Sequence, residues 1–125
     1  MRAQGDRGAA VVEFALIFLL LFSMFIAVLE GGRLFFLQAS LGSAARDAAR
    51  VLAIGGDQAE ALARANDAFP FGSVAWDSAN SAACPPPPAP DQSATASLTY
   101  STGMITGFWP TTFTLRGTGA MRCNG

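Results

Sequence analysis

The sequence contains no histidine and no lysine, and only two cysteines among its 125 residues. Without histidine there is no imidazole for acid–base work and no Ser/His or Cys/His nucleophile pair. Two cysteines alone cannot make a four-ligand zinc site. Charge is scarce as well: 14% of residues are charged, eight arginines against nine acidic side chains, for a net charge of −1. No basic run offers a phosphate footprint, which argues against a nucleic-acid partner. The carboxylates available for chemistry are Asp57, Glu60 and Asp67. Asp57 and Glu60 read as a helix cap and Asp67 as a solvent-facing residue two turns on, so the chain reads as no enzyme, with no cofactor and no metal.

What the sequence has in excess is apolar surface, at 51% hydrophobic residues. The surplus is concentrated in Phe14 to Leu29, FALIFLLLFSMFIAVL, which contains no charge, proline or glycine. At about 1.5 Å per residue, a helix over residues 9–29 covers roughly 30 Å, the thickness of a bilayer core. The segment follows a short charged leader, residues 1–8, in the manner of a signal peptide. After it, however, Val28-Leu29-Glu30-Gly31-Gly32-Arg33 offers no small-x-small cleavage site, and the helical pattern continues into Leu34, Phe35 and Phe36. A retained transmembrane anchor is the expectation. Arginines on both sides leave the positive-inside rule undecided. Cys84 and Cys123 allow two readings: a disulfide in an extracytoplasmic domain, which places the N-terminus in the cytoplasm, or two free thiols in a cytoplasmic domain. A Cys84–Cys123 bond would stabilise the fold by about 4 kcal/mol on chain-entropy grounds.

Glu13 is the unusual residue, an ionisable group one turn inside an apolar helix, where a central carboxylate costs on the order of 3 kcal/mol. Near the start of the span it can also reach the interface and stay hydrated. It stands fifth after Gly8, with Ala9 and Ala10 between them, and Phe14 follows it directly. With this Gly8 to Leu16 stretch, then Glu30-Gly31-Gly32-Arg33-Leu34, then Ala44-Ala45-Arg46-Asp47-Ala48-Ala49-Arg50, the sequence resembles a type IV prepilin. Within the Flp/Tad branch it resembles the TadE-like proteins, over roughly residues 7 to 55; Gly119 to Cys123 also looks like the end of such chains. The resemblance implies cleavage by a prepilin peptidase between Gly8 and Ala9, with Gly8, Ala9, Glu13 and Phe14 as the processing and assembly residues. It further implies other pilins or pseudopilins and Tad inner-membrane assembly proteins as partners, in addition to the lipid bilayer. The expected place is the bacterial inner membrane, single-pass, with the C-terminal part periplasmic. On physical grounds, a carboxylate four residues from a newly exposed amine can pair with that amine on a neighbouring subunit and set axial register.

Beyond the span, residues 30–56 read as an amphipathic stalk helix, with Leu34, Leu37, Leu41, Ala45, Ala48 and Leu52 on one face and Ser43, Arg46, Asp47 and Arg50 on the other. Gly42 is a point where it can bend. Gly55-Gly56 should stop this helix, and Asp57-Gln58-Ala59-Glu60 should cap a second one running to about Phe69, ahead of Pro70. Residues 71–83 are small and polar with Trp76 as an anchor, and Cys84 to Pro90 reads as a proline-rich spacer. Ala94, Ala96, Leu98 and Tyr100 alternate with Thr95, Ser97, Thr99 and Ser101, predicting a strand with one buried face; Phe113, Leu115 and Met121 predict its antiparallel partner after a turn at Gly107 to Pro110. Phe108 and Trp109 at that turn read either as a contact patch or as packing.

The expected fold class is α+β: a pilin-like long N-terminal helix, membrane-spanning in its first half, a short second helix packed back on it, and a small β-hairpin. The cap comprises residues 57–125. The expected function is that of a TadE-like minor pilin or pseudopilin in assembly of a Tad-type adhesive pilus. The alternative is an uncleaved single-pass protein whose periplasmic cap binds a ligand or envelope partner.

Overall fold

The computed structural model describes residues 3–87, 89, 91–107 and 111–123, and side chains from residue 7 onward. Phe108, Trp109 and Pro110, and Pro88 and Pro90 of the proline-rich stretch, lie outside the described residues. The fold is α+β, in the order α1 (Ala3–Ala53), α2 (Gln58–Ala68), β1 (Ala75–Trp76), a 3₁₀ turn (Ser78–Asn80), β2 (Ser93–Gly103) and β3 (Thr112–Arg122). Two compact units divide it, residues Met1–Arg33 and Leu34–Gly125.

Helix α1 has 51 residues and continues without interruption through Gly31, Gly32 and Gly42, so the expected weak point at Gly42 does not break it. A run free of proline and rich in alanine and leucine supports this length. Its end is fully specified. Gly55 takes φ +92°, its N–H donates to the Leu52 carbonyl at 3.4 Å, and the Gly56 N–H donates to the Val51 carbonyl at 2.9 Å. This double bond pattern closes a helix around a left-handed glycine and satisfies two of its last carbonyls. Asp57 then caps α2, its carboxylate accepting the Glu60 N–H at 2.8 Å.

In the second unit the core is built on the α1 stripe Leu37, Leu41, Ala44, Ala45, Ala48, Ala49 and Leu52. Ala61, Ala65 and Phe69 from the second helix and its end join this core, together with Ala94, Ala96 and Leu98 from β2. Arg46, Asp47 and Arg50 are exposed on the far face of α1. β2 and β3 pair antiparallel along their whole length, from Ser93↔Arg122 to Gly103↔Thr112.

The sheet has three strands rather than two, in the order β1-β2-β3. Trp76, expected only as an anchor, pairs with Leu98 in β1. Two residues of strand leave no alternation to read, which is why the segment looked irregular. A bridge from Ala82 to Thr95 continues this edge.

Glycine sets the spacing between sheet and helix. A Cβ on Gly117 would stand 2.6 Å from the Leu41 carbonyl oxygen, and one on Gly119 would press still closer on the Ala45 carbonyl. β3 therefore lies directly on the α1 backbone, opposite the alanine stripe. Met121, two residues past Gly119 and so on the same face of β3, is 37% exposed, because the contact with α1 is made by the two glycines before it.

The outer face of β2 also departs from expectation. Ser97, placed by alternation among the exposed hydroxyls, is fully buried. The chain from Asp77 to Ala82 lies along β2 there: Asp77 N–H donates to the Ser97 carbonyl at 2.9 Å, and the Ser81 hydroxyl accepts the Ser97 N–H at 2.9 Å. The Ser97 hydroxyl itself has no hydrogen-bond partner among the described residues. A buried hydroxyl without a partner is destabilising. Ser97→Ala should raise stability by about 1 kcal/mol, read as a higher denaturant midpoint for the full chain in detergent.

Asp77 organises the same turn. It accepts the Asn80 side-chain amide at 2.9 Å and the Ala79 N–H at 3.2 Å, and pairs with Arg116 at 3.2 Å. The Asn80 hydrogen bond, helped by Arg116 and by backbone N–H groups against a smaller opposing effect of burial, holds its carboxyl below the usual aspartate value of 3.8. A carboxyl depressed in the folded state adds stability above its unfolded pKa, and that stability is lost as pH falls through the folded value. The stability advantage over Asp77→Asn should therefore be present at neutral pH and shrink below about pH 4, measured by denaturation at stepped pH.

Candidate functional site

The first unit is where the sequence placed the working residues. From Val11 to Leu29 its large apolar side chains are exposed, except for Ile26, which is half-buried. Among the described residues, α1 is the one helix long and apolar enough to cross a membrane. Such an array has no stable place in water, and its length matches a bilayer core. The hydroxyl inside it is managed locally: Ser23 donates to the Leu20 carbonyl at 2.8 Å, so the span presents no unpaired donor there.

One face carries an aromatic ladder. Phe14 and Phe18 stand with ring centroids 6.1 Å apart, and Phe18 and Phe22 at 5.9 Å, both pairs near parallel. The spacing of four residues puts the three rings one above another. Sequence reading singled out Phe14 but missed the ladder, although the i, i+4, i+8 spacing of phenylalanines was there to be found.

Gly8, Ala9, Glu13 and Phe14 all fall within α1, and all four are exposed. Ala9 and Glu13 are four residues apart and therefore share a helix face. A Cβ on Gly8 would meet nothing within 4 Å, so packing within the chain does not explain the glycine. At the other end of the apolar run, Glu30 and Arg33 form an ion pair at 2.8 Å, one turn apart. Glu30 is buried while Arg33 is half-exposed, so the span ends on a locally neutralised pair.

Cys84 and Cys123 are disulfide-bonded, with Cα atoms 5.9 Å apart. Cys123 is buried, and its N–H donates to the Gln92 carbonyl at 2.9 Å. The bond fastens the end of β3 to the chain that precedes β2 and closes a loop of sequence separation 39. Asp57, one of the three carboxylates considered for chemistry, is spent on the α2 cap. The hollow beside it, about 150 Å³ between Leu52, Asp57, Trp76 and Ser81, is open to solvent.

These features define a membrane-anchored chain: one apolar helix that continues into a small α+β domain. Over residues 8–50 the chain matches the family model described as TadE-like protein. The matched stretch begins at Gly8, takes in Glu13 and the apolar run, and ends within the part of α1 that lies on the sheet. No curated protein and no solved structure matches the chain.

Proposed function

We propose that this protein is a TadE-like minor pilin or pseudopilin that takes part in building a Tad-type pilus. In this reading the apolar part of α1 anchors the chain in the bacterial inner membrane, with the N-terminus cytoplasmic and the disulfide-closed domain outside. A prepilin peptidase cuts between Gly8 and Ala9. The new Ala9 amine and Glu13 of a neighbouring subunit then pair, which sets the axial offset at which helices pack. The carrying observation is the TadE-like match over residues 8–50, because it covers Gly8, Glu13 and the exposed apolar helix together. The aromatic ladder supports the same reading, since stacked rings on an otherwise featureless apolar helix give a neighbouring helix a defined surface to pack against.

The test is Gly8→Val in the native host. The substituted chain should keep residues 1–8 by mass spectrometry and surface pili should be lost. A Gly8→Val chain that loses the leader and still supports normal piliation would defeat the proposal.

A further inference from the structure

The second unit carries a cluster of exposed apolar side chains that its own core does not use. Phe36 on α1 meets Phe71 edge-on with ring centroids 5.5 Å apart; Phe71 meets Phe69 at 5.4 Å, and Phe69 meets Tyr100 at 4.9 Å. Phe69 is buried, whereas Phe36 is 60% and Phe71 42% exposed. Phe35, which precedes Phe36 on α1, is 77% exposed, and Ile105 in the β2–β3 connection 73%.

The turn that presents Phe71 is held in place. The Tyr100 hydroxyl donates to the Phe71 carbonyl at 3.0 Å. Gly72 adopts φ +152°, and a Cβ there would come within 2.9 Å of the Tyr100 ring. A glycine in a conformation that other residues rarely adopt, packed under a tyrosine that ties down the turn, displays a phenylalanine outward at a fixed position.

All of these residues sit at one end of the unit, the end at which the chain enters at Leu34. β3 runs along α1 with Gly117 against Leu41 and Gly119 against Ala45, so the Tyr100↔Leu115 pair lies toward Leu34 and the Ser93↔Arg122 pair toward Ala53. The stretch from Leu34 to Ala45 holds no charged residue, and Arg116, whose carbonyl accepts the Gln38 side-chain amide there, is paired with Asp77. The chain arrives there directly from the apolar helix, with only Glu30 to Arg33 between Leu29 and Leu34. Exposed apolar and aromatic side chains next to a membrane span are favoured at the boundary between headgroups and acyl chains.

We infer that this end of the domain is a lipid-docking surface, with Phe35, Phe36, Phe71, Tyr100 and Ile105 seated in the headgroup region of the leaflet that the anchor leaves. The inference rests on the reading that residues 9–29 span the bilayer. Docking there holds the domain down on the membrane before assembly, and extraction of a subunit would have to release it.

The test uses the full chain in phosphatidylcholine/phosphatidylglycerol vesicles. The native cysteines are disulfide-bonded, so a thiol-reactive nitroxide reports only an introduced cysteine. Phe71→Cys, Phe35→Cys, Ser93→Cys and Leu19→Cys are each labelled, and collision with oxygen is compared with collision with a water-soluble nickel chelate. Labels at 71 and 35 should favour oxygen several-fold more than the label at 93, and 19 should read deepest. Phe35 is so exposed that its variant guards against a folding defect at Phe71. A deep label at 19 with 71 and 35 as aqueous as 93 would overturn the docking surface alone; an aqueous label at 19 would overturn the span itself. Labels at 71 and 35 shielded from both reagents would mean that a second copy of the chain covers the patch, which also overturns it.

Discussion

Gly119→Val should destabilise the domain by about 3 kcal/mol or more, enough to leave a marginally stable fold open to proteases. The reason is where the glycine sits. Its hypothetical Cβ points at the carbonyl group of Ala45 and the Arg46 N–H, which are backbone atoms of a continuous helix and cannot move aside as a flexible side chain would. β3 would have to lift from α1, and Ala44, Ala45, Ala48 and Ala49, buried without residual exposure, would lose their close cover. Overpacking of this kind is worst where the neighbour is backbone. Gly42→Ala is the matched control, since a Cβ there meets nothing within 4 Å. Replacing a mid-helix glycine with alanine should stabilise by about 0.5–1 kcal/mol. Limited trypsin digestion of the detergent-solubilised chain separates the two: rapid loss of the second unit for Gly119→Val, protection equal to or better than the parent for Gly42→Ala.

The second large effect is functional. Glu13→Gln should leave cleavage after Gly8 intact and lower surface pili by about a hundredfold. Removing one member of an ion pair away from water leaves the other charge uncompensated, a loss of roughly 3 kcal/mol or more per contact. Glutamine preserves shape and polarity at position 13, so a loss of pili would trace to charge rather than to volume. Shed-pilus assays give the number of pili, and the mass of the membrane-bound chain shows whether processing has survived.

The outline of this molecule was legible because its strongest signals are local. The apolar run, the Gly55-Gly56 stop and the Asp57 cap each act over one or two turns, and each is found where its residues stand. The third strand was not legible, since β1 has two residues and owes its existence to β2 beside it. Ser97 was misplaced for the same reason. Alternation reports which face a side chain takes, whereas burial depends on what covers that face. At Ser97 a distant turn covers the outer face, and near Met121 glycines bring the helix close while the methionine lies past the contact. The Gly117-Thr118-Gly119 spacing did carry a signal, two residues without side chains on the inward face of a strand, opposite a helix rich in alanine. Within the candidate site, Gly8, Ala9, Glu13 and Phe14 were read from their order in the chain. The aromatic cluster of Phe36, Phe71 and Tyr100 joins residues 64 positions apart in sequence and needed the fold to bring it together.

The central claim is that residues 9–29 form a processed assembly helix rather than a permanent, uncut anchor. The most direct measurement is the N-terminal residue and intact mass of the chain purified from membranes of its native host with its prepilin peptidase present. The account predicts a chain that begins at Ala9 and lacks residues 1–8. A membrane-bound chain that begins at Met1 under those conditions would contradict it and leave a single-pass protein whose helix serves only to anchor.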